Sequence, residues 1–69
     1  MRQVFYVKEW IKELVKRNIS KFDKKDLKGT DLDKPNYFYN VAHRNGWIYR
    51  VSIKWSISTW TLTNKAKML

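Results

Sequence analysis

The sequence predicts an α+β fold, with an N-terminal amphipathic helix packed on a three-stranded antiparallel β-meander. Three observations lead there: a helical period of apolar residues near the start, a period of two from Asn36 onward, and an Asn45-Gly46 pair between β-prone runs. With 69 residues, one small basic domain spanning residues 1–69 is expected, near the lower size limit for independent folding.

The helix is expected over about residues 6–22. Val7, Trp10, Ile11 and Leu14 recur at three- and four-residue spacing, and Val15, Ile19 and Phe22 continue the stripe. Lys8, Glu9, Lys12, Glu13, Lys16 and Arg17 take the other positions, with opposite charges three and four apart. Asn18 is an alternative stop, because asparagine tolerates the left-handed geometry after a last helical turn. A second short helix from Lys21, N-capped by Ser20 and ending at Gly29, is the competing arrangement.

Residues 23–35 form the polar linker, punctuated by Gly29 and Pro35, in which only Leu27 and Leu32 have apolar side chains to pack. The meander is expected over about residues 36–64. A two-residue turn at Asn45-Gly46 would set Arg44 opposite Trp47, Ala42 opposite Tyr49 and Phe38 opposite Ile53. Tyr37, Tyr39, Val41 and His43 would then share the other face with Ile48, Arg50, Ser52 and Lys54. Residues 57–63 supply the third strand, after a turn near Trp55, and residues 65–69 a basic tail. The order of one helix and then three antiparallel strands is similar to that of double-stranded-RNA-binding domains, in element order alone.

What stabilises so small a chain must be aromatic burial, through four Trp, four Tyr and three Phe, because there is no cysteine. A homodimer would be the other route to buried area. The scattered carboxylates and single histidine form no metal cluster, and no cofactor is implied. The first apolar run, Val4 to Val7, is too short for a secretory signal or a membrane span, so a cytoplasmic protein with no membrane partner is expected.

Function is approached through charge. Fifteen Lys and Arg against six Asp and Glu give a net charge of +9. A field of that sign attracts polyanions, and interleaved aromatic rings suit stackable bases. Nucleic acid, DNA or RNA, is therefore the expected partner of a small non-catalytic binding protein, a regulator of the kind encoded by phages or mobile elements. The candidate nucleic-acid-binding residues are Tyr37, Tyr39, His43, Arg44, Arg50 and Lys54 on the sheet, with Lys65 and Lys67 in the tail. His43 stands alone, without the carboxylate or nucleophile that acid–base catalysis requires, so no enzyme is expected. The alternative is an inhibitor or adaptor that docks the same surface on an acidic host protein.

Overall fold

The computed structural model describes residues 2–54 and 57–69, and it is an α+β fold with an N-terminal helix and a three-stranded antiparallel sheet. Chain order is α1 (Arg2–Lys16), β1 (Lys21–Asp23), α2 (Lys24–Leu27), α3 (Asn36–Arg44), β2 (Ile48–Lys54), β3 (Ile57–Leu62) and α4 (Asn64–Lys67). The strands lie in the order β1-β3-β2, with β3 antiparallel to both neighbours.

Helix α1 buries Val7, Trp10, Ile11 and Leu14, the stripe expected from spacing. It starts earlier than residue 6 and stops well before 22. The stop is Asn18, at φ 60°. Ile19 N–H donates to Leu14 C=O at 2.9 Å and Asn18 N–H to Val15 C=O at 3.0 Å. These two bonds satisfy carbonyls that the helix end leaves open, in a Schellman arrangement with asparagine in the left-handed position. Arg17 reinforces the end, donating to Glu13 at 2.9 Å and to both Asp31 oxygens at 3.0 and 2.7 Å.

Phe22 is buried, as its place in the apolar stripe required, but as a strand residue. In β1 it pairs with Trp60, and its ring meets the edge of Trp10 at 5.9 Å. Asp23 then caps α2. Its carboxylate accepts from Asp26 N–H at 2.7 Å, while Asp26 accepts from Asp23 N–H at 3.2 Å. This reciprocal capping box stands where the competing arrangement put a cap at Ser20. The expected linker therefore holds the end of β1 and all of α2. Leu27 and Leu32 are buried, and Trp10 Nε1–H donates to Leu32 C=O at 3.1 Å across the core.

The largest departure from expectation is residues 36–44, which form helix α3 and not a strand. Phe38, Tyr39 and Ala42 are buried at helical spacing, and the rings of Phe38 and Tyr39 stand 5.7 and 5.0 Å from Trp10. Asn45-Gly46 ends this helix instead of turning a hairpin. A type I′ turn needs positive φ at both residues, whereas Asn45 has φ −85° and only Gly46 is left-handed, at 78°. Trp47 N–H donates to Ala42 C=O at 2.9 Å and Gly46 N–H to His43 C=O at 3.0 Å, a second Schellman arrangement. The register expected across this turn is therefore replaced. The likeness to double-stranded-RNA-binding domains goes with it, since the strand after the first helix is β1 and two further helices follow.

The hairpin of β2 and β3 is where residues 48–62 were expected to pair, with Trp55 and Ser56 outside the described residues. Ile48 faces Leu62, Tyr49 faces Thr61 and Arg50 faces Trp60. A bulge follows, because Ser52 pairs with Thr59, leaving Val51 as the extra residue. Phe22, Ile48, Trp60 and Leu62 line the inner face of the sheet. Trp10, Trp47 and Trp60 are all buried, while Trp55, expected in the core with them, lies outside the described residues. The tail forms one turn of helix, α4, where Thr63 Oγ1 accepts from Ala66 N–H at 3.3 Å and donates to Gly46 C=O at 2.6 Å.

Candidate nucleic-acid interface

Helix α3 presents two faces with different chemistry. Phe38, Tyr39 and Ala42 pack inward, while Asn36, Tyr37, Asn40, His43 and Arg44 are exposed. Asn36, Asn40 and Arg44 fall at i, i+4 and i+8, so they form one line along the outer surface. This face carries two amides, a phenol, an imidazole and a guanidinium, with no carboxylate.

One flank of α3 forms a cleft of about 550 Å³ with α2 and the hairpin. It is lined by Lys24, Lys25, Asn36, Tyr39, Asn40, His43, Arg50, Ile57, Ser58 and Trp60. Its floor is two neighbouring rings, Tyr39 and Trp60, with centroids 6.0 Å apart. Lys24 Nζ lies 5.7 Å from the Tyr39 centroid and the Arg50 guanidinium 5.9 Å from that of Trp60. His43 meets Trp60 edge-on at 5.4 Å. Cross-strand pairing explains Arg50: directly opposite residues share a face, so its partner Trp60 brings it to the cleft. Lys24 is held by Asn36 Oδ1 at 2.8 Å and by Lys34 C=O at 3.3 Å.

All six carboxylates are engaged elsewhere. Glu9 pairs with Lys12 at 3.3 Å, Glu13 and Asp31 with Arg17, Asp23 and Asp26 with each other's N–H groups, and Asp33 with Gly29 N–H at 3.3 Å. The Arg17 guanidinium holds the exposed Asp31 carboxyl below its ordinary value of 3.8. Among the described residues, Lys24, Lys25, Arg44 and Arg50 have no carboxylate partner. Three of these four cations, Lys24, Lys25 and Arg50, line the cleft, and Arg44 lies in the last turn of α3.

The expected site residues separate accordingly. Tyr39, His43 and Arg50 meet at the cleft, but Tyr39 is 4 % exposed and cannot offer a ring face to a base. The sheet platform expected from Tyr37, Tyr39, Arg50 and Lys54 does not form, because both tyrosines are helical. Tyr37 is exposed beside Phe38, with centroids 4.8 Å apart, and does not line the cleft. Arg44 lies on the outer face of α3. Of Lys54 only the pairing with Ile57 at the end of β2 is described. Lys65 lies beside Gly46 at the end of α3, whereas Lys67 lines a separate groove with Val15, Asn18, Ile19, Ser20 and Leu62.

Sequence reasoning missed Lys24, Lys25, Asn36 and Asn40. The signal was the four-residue spacing of Asn36, Asn40 and Arg44 directly after Pro35, which the period-two interpretation obscured. Tyr39 carries a further peculiarity: its hydroxyl is buried with no hydrogen-bond partner. Burial pushes its pKa up to about 12, with the charges of Asp33 and Asp23 adding to the effect.

Among the described residues no group of three or more His, Asp or Glu side chains could hold a metal, and no helix is long and apolar enough to cross a membrane. Comparison with protein families, curated proteins and solved structures finds no match to this chain.

Proposed function

We propose that this chain is a small non-catalytic nucleic-acid-binding protein that lays α3 in the major groove of duplex DNA and acts as a regulator there. The observation that carries this reading is the carboxylate-free outer face of α3, flanked by a cleft bearing Lys24, Lys25 and Arg50. In element order alone, α2, α3 and the β-hairpin resemble a helix-turn-helix with a hairpin wing, α2 being a single turn of four residues. The connection, residues 28–35, is longer than the usual turn of about three or four residues.

The chemistry supports duplex DNA over RNA. A B-form major groove, about 12 Å wide, admits a helix, whereas the A-form groove is too narrow. Asn40 offers an amide matching the adenine edge and Arg44 a fork matching guanine. Lysines and arginines beside the helix would displace counterions from the backbone.

Fluorescence anisotropy on labelled duplex DNA tests the proposal. Affinity should fall linearly in log–log form with salt, with a slope of roughly −0.9 per phosphate contact. Asn40→Ala should flatten the preference among sequences while leaving the salt slope in place. Absence of binding to any duplex or single strand at low salt would overturn it. Nuclease-resistant capture of an acidic protein would then favour the inhibitor reading.

A further inference from the structure

We infer that the cleft between α2, α3 and the hairpin is a seat for one phosphate group, gripped by Lys24 on one side and Arg50 on the other. The inference rests on the nucleic-acid reading for its natural source, a backbone phosphodiester, but the site can be tested without nucleic acid.

Three observations converge on it. Each of the two cations lies within 6 Å of one of two adjoining rings. Cation–π contacts of this kind restrain a long side chain while leaving its N–H groups directed to other acceptors. Lys24 is further fixed by its bonds to Asn36 and Lys34, and Arg50 makes no side-chain hydrogen bond or ion pair among the described residues. Secondly, no lining residue is a carboxylate, the nearest negative charges being those of Asp23 and Asp33 that act on Tyr39, and Lys25, Asn36, Asn40 and Ser58 add further donors. Thirdly, Tyr39 lines the cleft, and its buried hydroxyl is a donor with no acceptor. Such a group is ordinarily satisfied by a protein partner, water or an ion.

The volume also fits. About 550 Å³ lies within the range of small-ligand clefts, large enough for a phosphate with its attached sugar. A phosphate of the DNA backbone would reach it while α3 occupies the neighbouring groove. A free phosphorylated small molecule would present the same group.

The test is NMR of the ¹⁵N-labelled full chain at constant ionic strength, titrated in turn with inorganic phosphate, adenosine monophosphate and a duplex DNA, with chloride as the control. Phosphate should produce saturable shifts confined to Lys24, Lys25, Asn36, Asn40, His43, Arg50 and the Trp60 indole. Arg50→Gln should weaken phosphate about tenfold, the loss of one charge-assisted contact, and lower the DNA salt slope by about one. Lys24→Gln should do the same, although it also releases Asn36, which makes Arg50→Gln the decisive variant. If adenosine monophosphate saturates the cleft and duplex does not displace it, the seat serves a free phosphorylated molecule and the inference stands apart from the DNA reading. If phosphate gives no saturable shift and Arg50→Gln binds duplex with unchanged affinity and slope, the inference is overturned while DNA binding survives.

Discussion

Replacing Tyr39 by Phe should make the protein more stable, against the usual direction of core substitutions. The ring sits 5.0 Å from Trp10, 6.1 Å from Phe22 and 6.0 Å from Trp60, and all three contacts survive the change. Only the hydroxyl is lost, and it is buried without a partner. A buried polar group in that condition costs about 1–3 kcal/mol in desolvation. Deleting the oxygen forfeits some packing, so a net gain of about 1 kcal/mol is expected. For a domain of this size that corresponds to a rise of roughly 4–8 °C in Tm. Urea unfolding followed by tryptophan fluorescence measures it, with an unchanged slope as the control for two-state behaviour.

A second arm uses pH. Because the folded pKa is raised above the unfolded one, the stability associated with neutral Tyr39 is complete below about 10 and is lost as pH climbs through about 12. The advantage of Tyr39→Phe should therefore widen over that interval. Destabilisation by more than about 0.5 kcal/mol at neutral pH, with the slope unchanged, would refute the argument, since it would mean that the hydroxyl is hydrogen-bonded.

Gly46→Ala should destabilise by about 1–2 kcal/mol in thermal unfolding, the penalty for a side chain in left-handed geometry. A methyl group there would sit 3.6 Å from Lys65 Cδ, an ordinary contact, so conformational strain alone accounts for the loss. Trp10→Phe should lose about 1–3 kcal/mol in the same assay, because Leu32 C=O would be left without its donor. In an NMR titration Asp31 should ionise below its ordinary value and return to it in Arg17→Gln. The stability that this pair supplies is present above the unfolded carboxyl pKa and lost as pH falls through the depressed one.

How far the sequence carried is best judged at particular residues. Helix α1 was legible because its apolar stripe and its charged positions agree on one period, and Asn18 carried its own stop signal. Strands β2 and β3 were legible because Ile48, Tyr49, Val51 and Ile53 favour extended backbone whatever their surroundings. In contrast, Asn36 to Arg44 contains both periods. Tyr37, Tyr39 and Val41 alternate, while Phe38, Tyr39 and Ala42 also fall on one side of a helix. Asn-Gly is equally degenerate, since a glycine in left-handed geometry closes either a hairpin or a helix.

Composition and charge by themselves determined that aromatic rings would form the core and that cations would outnumber the groups able to neutralise them. The tertiary structure alone decided where those cations collect. Trp10 selects helix for α3, because only that conformation brings Phe38 and Tyr39 together onto its ring. Once α3 is a helix, the place in the sheet beside β3 falls to Lys21–Asp23, and Lys24 is carried to the cleft that Arg50 also lines. Local propensity extends over a few residues, whereas the cleft joins positions more than twenty residues apart through shared burial, which no local pattern records.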